Sequence, residues 1–177
     1  MDKIIERLKE GNEQFKKGAF KGNISEGIRK ETARNGQKPY AVIVTCADSR
    51  VVPEFIFSTG IGELFTIRTA GNVANAATLG SVEYAVEHLG VKTVVVLGHT
   101  KCGAVAATKH PAGDGYADLL VDEIRKAIGE ETDERQSSIK NARFAAKRIE
   151  EILLLEEKNA KSIPALYDVE TGEVTFL

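Results

Sequence analysis

Three short stretches of the chain are almost continuously apolar: residues 41–45 (AVIVT), 64–67 (LFTI) and 93–98 (TVVVLG). Unbroken apolar runs, unlike alternating ones, predict parallel strands covered on both faces. Between the second and third, residues 75–89 repeat apolar side chains at helical spacing (Val82, Ala85, Val86, Leu89) and stop at Gly90. Strands alternating with helices predict βαβ units. Residues 1–17 place Ile4, Ile5, Leu8 and Phe15 at roughly helical intervals, with Gly11 a weak point. Beyond residue 115 the pattern predicts helices over 116–129 and 137–158, the latter with Ile149, Ile152 and Leu153 on one face. The tail reads as a strand, a turn at Thr171-Gly172 and a short last strand. The fold class is therefore α/β: a single domain with a central, mostly parallel sheet flanked by helices. Residues 1–36 form an N-terminal helical arm and 37–177 the body that carries the site.

Charge sharpens this picture. Only 9 of the 68 residues from 41 to 108 are charged, against 41 of the other 109, so the middle is the buried part. The formal net charge of −2 gives no basic field for nucleic acid. No apolar run approaches the roughly 20 residues of a membrane span, and the charged start MDKIIERLKE has no apolar signal region. The expectation is a cytoplasmic protein with neither nucleic acid nor membrane as partner. A chain of 177 residues can bury one sizeable core.

The two cysteines locate the chemistry. In open parallel sheets ligands bind at the carboxyl ends of the strands. The first strand runs into Cys46-Ala47-Asp48-Ser49-Arg50, and the third into His99-Thr100-Lys101-Cys102-Gly103. Taken singly, Cys46 is a buried small hydrophobe and His99 a hydrogen-bonded loop residue. Taken together on neighbouring strands, Cys46, His99 and Cys102 form a Cys2His set, a zinc ligand set with a fourth position left for water or substrate. Asp48 and Arg50 are rare charges in an apolar region. They read as a structural ion pair, or as a carboxylate gripped by a guanidinium fork beside the open position. Arg68 is a third charge nearby, with a structural or interface role. His88 and His110 have no such company and receive no role.

Other chemistry fits poorly. A cysteine phosphatase loop needs Arg six residues after its Cys, and position 52 is Val. Gly60-Ile61-Gly62 lacks a third glycine and precedes a strand instead of following one. A thiol redox role would have Cys102 as its only resolving partner.

The paired motifs Cys46-Ala47-Asp48-Ser49-Arg50 and His99-Thr100-Lys101-Cys102-Gly103 resemble those of β-class carbonic anhydrases. The likeness extends to Gly62-Glu63-Leu64-Phe65, Ala70-Gly71-Asn72-Val73, Glu83-Tyr84-Ala85-Val86 and Glu10-Gly11-Asn12, covering about residues 8–108. It implies one Zn²⁺ per subunit on Cys46, His99 and Cys102, with Asp48 and Arg50 as a catalytic dyad. It implies reversible hydration of CO₂ to bicarbonate and a proton by zinc-bound hydroxide. Gln37, Phe65 and Gly103 become substrate-binding residues, and Asp48 a fourth ligand in a closed state. It also implies a homodimer or dimer of dimers. The segment Asn72–Gly80 lacks the tyrosine that some members place in the pocket. The motifs leave open COS or CS₂ hydrolysis on the same scaffold, and a non-catalytic zinc site.

Overall fold

Every residue of strand β1 (Ala41–Thr45) is buried, as its unbroken apolar run requires. The computed structural model describes residues 2–111 and 113–177; Met1, the first residue of the expected arm, lies outside the described residues. The elements in chain order are α1 (Asp2–Lys16), α2 (Glu26–Asn35), β1, α3 (Pro53–Ile56), β2 (Leu64–Arg68) and α4 (Ala76–Glu87), then β3 (Thr93–His99), α5 (Gly103–Ala106), α6 (Tyr116–Ile128), α7 (Glu134–Ile152), β4 (Lys161–Tyr167) and β5 (Val174–Phe176). The sheet order is β2-β1-β3-β4-β5. The first four strands are parallel, and β5 pairs antiparallel with β4.

The order matters for function. From β1 the chain crosses to β2 on one side and later to β3 on the other. The crevice beyond the carboxyl ends of β1 and β3 is thus the topological switch point, where doubly wound sheets bind ligands.

Alternate strand residues feed two cores. Val42, Val44, Val94 and Val96 pack with Val82, Ala85 and Val86 of α4 and Ala142, Ala145 and Ile149 of α7. On the other face Ile43, Val95 and Leu97 pack with Leu8 of α1 and Ile56 of α3. Helix α1 is tied down further by Asn12, whose Nδ2 donates to Ile56 O (3.2 Å) and Gly172 O (2.8 Å) and whose Oδ1 accepts from Val174 N (2.9 Å). A third cluster gathers Cys46, Cys102, Val73, Val105, Ile124 and Ile128 at the carboxyl edge.

The long C-terminal helix differs from the expected 137–158. It begins earlier because Asp133 caps it, accepting from Gln136 N at 2.7 Å. It ends at Ile152, since Leu153 and Leu155 both turn inward and Leu154 takes a left-handed φ of 48° to allow it. Helix α2 has no buried residue; with no apolar stripe, periodicity alone does not find it. No helix among the described residues is long and apolar enough to cross a membrane.

Candidate metal centre

Two loops at the switch point bring the cysteines and the histidine together. One ligand atom each from Cys46, His99 and Cys102 lies within 4.8 Å of the others, and all three residues are buried. The strands set this up. Cys46 is the first residue beyond β1, His99 is the last of β3, and the β1–β3 register pairs Thr45 with Leu97. Thr45 Oγ1 donates to Leu97 O at 2.7 Å, locking the two strand ends side by side. After His99 the chain turns through Lys101, at φ 56°, so that Cys102 becomes the N-cap of α5.

The imidazole is oriented by its own loop. His99 Nδ1 lies 2.9 Å from Thr100 O, a carbonyl that can only accept. Nδ1 therefore carries the proton and Nε2 presents a lone pair. That Nε2 is buried with no hydrogen-bond partner. A buried acceptor facing two thiols is costly unless something binds it; a metal cation satisfies it, and a Cys2His donor set suits zinc.

The sulfurs are also prepared. Cys46 Sγ accepts from Gly71 N at 3.2 Å and Asp48 N at 3.4 Å. Its thiol is drawn down, chiefly by the neighbouring Cys102, with the two amides adding to this and burial opposing it. Cys102 is pushed up, first because its proton is held by Cys46 and then by burial. Both sulfurs would bind a metal as thiolates, so any thiol proton would leave on binding.

Beside this trio Asp48 is gripped by Arg50. Arg50 Nε donates to Oδ1 at 3.0 Å, Nη2 to Oδ2 at 2.7 Å, and the Arg50 backbone N–H to Oδ1 at 2.9 Å. These bonds hold the carboxyl well below the usual carboxylate range. Arg50 Nη2 also donates to Lys101 O at 3.0 Å, bridging the two loops. Arg68 clasps the first loop from below, through Cys46 O (3.1 Å) and Asp48 O (2.7 Å). With both oxygens engaged by Arg50, Asp48 stands outside the group of clustered donors.

Gly103 is the first residue of α5, directly after Cys102. Gln37 and Phe65 lie elsewhere. Gln37 is exposed in the loop that enters the amino end of β1. Phe65 pairs with Val42 near the start of β1, its ring 6.1 Å from that of Tyr84. The length of β1 separates Gln37's loop from Cys46, about 15 Å at 3.3 Å per residue. Two further residues touch the site through hydrogen bonds. Gly71, part of the Ala70-Gly71-Asn72 motif, donates to Cys46, and Asn141 of α7 donates to Gly71 O at 2.8 Å. Asn141 is one of three buried polar residues of α7, with Ser137 and Ser138, and its spacing alone does not reveal the contact to Gly71.

The carbonic anhydrase family model matches residues 41–166. Carbonic anhydrase 2 of Mycobacterium tuberculosis is 50% identical over 108 residues, which are 61% of this chain and 52% of that protein. The chain thus spans about half the length of the curated relatives it matches. The structure of the β-carbonic anhydrase CcaA superposes with a TM-score of 0.72 at 26% identity, covering 98% of this chain and 94% of that one. A tetrameric β-carbonic anhydrase of Sordaria macrospora shares the fold, with a TM-score of 0.71 at 22% identity over 85% of this chain and 91% of that one. The matched stretch runs from β1 into β4 and takes in both site loops, and the chain belongs to the β-class carbonic anhydrase family.

Proposed function

We propose that the chain catalyses the reversible hydration of CO₂ to bicarbonate and a proton, with one zinc ion per subunit held by Cys46, His99 and Cys102. The observation that carries this reading is the convergence of two thiols and a partnerless imidazole nitrogen beside a carboxylate locked by arginine. Zinc there would supply Lewis acidity, lowering the pKa of an adjacent water toward neutrality.

The chain's own residues do the rest. Asp48 stays ionised under Arg50's hydrogen bonds, so it is a weak proton acceptor and a good hydrogen-bond acceptor. Its work is to accept a hydrogen bond from the attacking water and fix that water's lone pair toward CO₂. Arg50 keeps Asp48 turned from the cysteines and opposes its entry as a fourth ligand in a closed state. The Gly103 backbone N–H, in the first turn of α5, is free of intrahelical partners and can donate to a substrate oxygen. The released proton passes to buffer.

Gln37 and Phe65 can serve only if a second copy brings them to the trio, since within one chain they sit toward the other end of the sheet. This supports a homodimer or dimer of dimers, the active site being completed across the interface. Residues 1–36 act as an arm on the catalytic unit 37–177, anchored by Leu8 and Asn12. Two free cysteines held close together fit the reducing cytoplasm.

Turnover of CO₂, COS and CS₂ by the zinc-loaded protein tests the reading. Preference for CO₂ is expected. Preference for COS or CS₂ would reassign the substrate, and zinc bound without turnover of any of the three would leave a structural centre.

A further inference from the structure

We propose that Asn141, on α7, is a positioning residue for the metal centre: it fixes Gly71 so that the Gly71 N–H donates to Cys46 Sγ and weakens that sulfur as a donor. The inference rests on the metal-binding reading above and adds a helix outside both site motifs to the machinery.

Three observations meet at Gly71. Asn141, buried on α7, donates from Nδ2 to Gly71 O at 2.8 Å. Gly71 N donates to Cys46 Sγ at 3.2 Å. Gly71 itself has φ 66° and ψ 23°, left-handed inside a short 3₁₀ turn over Ala70–Asn72. The N–H and C=O of Gly71 belong to two successive peptide planes, and their relative orientation is set by the torsions at Gly71. A bond to the carbonyl therefore constrains where the N–H points. No other residue serves well at this position. A Cβ there would meet Ile124 Cδ1 at 2.4 Å, and a positive φ strains any side chain. Ile124 presses from α6 and Asn141 pulls from α7, so the donor is held from both sides.

Direction gives this a chemical consequence. A Cys2His set brings two thiolates to one divalent ion, which neutralises its charge and dulls its Lewis acidity. An N–H donated to a thiolate spreads the sulfur's charge and reduces what it gives the metal. Cys46 accepts two such bonds, from Gly71 and from Asp48. The Asp48 amide is local to the cysteine loop. The Gly71 amide depends on a residue 70 positions away in sequence, bonded through a buried contact. Asn141 is thus a remote handle on how strongly Cys46 binds and polarises the metal.

The test uses the full chain loaded with Co²⁺ in place of zinc. Wild type is expected to show a thiolate-to-cobalt charge-transfer band and tetrahedral ligand-field bands. In Asn141→Leu, which removes the donor at similar volume, the charge-transfer band should move to lower energy. A merely structural role would reduce the yield of folded protein and leave the band of the folded fraction in place. An unshifted band in the folded variant overturns the proposal. Absence of the charge-transfer band in wild type overturns the metal-binding reading instead, which separates the two failures. Should Asn141→Leu not fold, wild type loaded with ¹¹³Cd carries the test by NMR. The Gly71 amide proton should couple to cadmium through the N–H···S bond, and the Asn141 side-chain amide should be protected from exchange. Lack of either signal overturns the proposal.

Discussion

At the carboxyl end of the sheet, two thiols and an imidazole nitrogen meet within 4.8 Å, and the residues that carry them are buried. At the amino end a cavity of about 690 Å³ opens instead, lined by Tyr40, Lys92, Glu156 and Lys161 among others. The roomy end is the chemically poor one. Its Tyr40 hydroxyl is buried without a partner, and burial pushes the phenol up to about 12; Lys92 is spent on a carbonyl, Lys158 O. At the crowded end the side chains of the two site loops are aimed. Nδ1 of His99 is fixed so that Nε2 faces the sulfurs, and Arg50 and Arg68 hold the Asp48 loop from two sides. Volume is a common guide to a site, but here convergence of oriented donors is the better one. The reason is topological: strand order reverses beyond β1 and β3 at the carboxyl end, and the loops there are free to carry function.

Three substitutions would break or sharpen this contrast. His99→Ala removes one of three ligands, and CO₂ hydration should fall at least about 10³-fold together with loss of bound zinc, measured by stopped flow and metal analysis. Retained stoichiometric zinc would move the centre elsewhere. Asp48→Asn should keep zinc and lose about 10²-fold in turnover, within the range for a group that manages a proton in the transition state. The sign of its acid dependence follows from Arg50. The folded-state carboxyl lies below its unfolded value, so its contribution to stability is complete above the unfolded pKa and lost only as pH falls through the folded one. The stability advantage of wild type over Asp48→Asn should therefore be constant above about pH 4 and shrink as the pH falls below it, read from unfolding curves at a series of pH values. Tyr40→Phe, at the amino end, should leave turnover unchanged and stability equal or up to about 1 kcal/mol higher, because it deletes a buried hydroxyl that has no partner. A large loss of activity in this variant would show that the Tyr40 hydroxyl takes part in the chemistry.

The same contrast explains what was legible in the sequence. The β1 and β3 runs are apolar throughout, so their positions and the loops beyond them could be read directly, and with them Cys46, His99 and Cys102. Asp48 and Arg50 stood out as charges in a charge-poor region. Helix α2 was hidden because none of its residues is buried. The end of α7 was hidden because three consecutive leucines satisfy a helical pattern until Leu154 turns left-handed. Asn141 was out of reach for a different reason: its meaning lies in a contact to Gly71 that only the packing of α7 on the sheet creates. Gln37 and Phe65 were singled out through resemblance alone, and the parallel sheet places them toward the opposite end from the trio.

The proposed hydration of CO₂ depends on zinc held by Cys46, His99 and Cys102. Stopped-flow hydration of CO₂, followed as zinc is chelated away and then titrated back, tests this most directly. Activity should vanish with the metal and return in proportion to zinc up to one equivalent per chain. Undiminished hydration by the metal-free protein, or one equivalent of zinc bound with no hydration restored, would contradict that dependence.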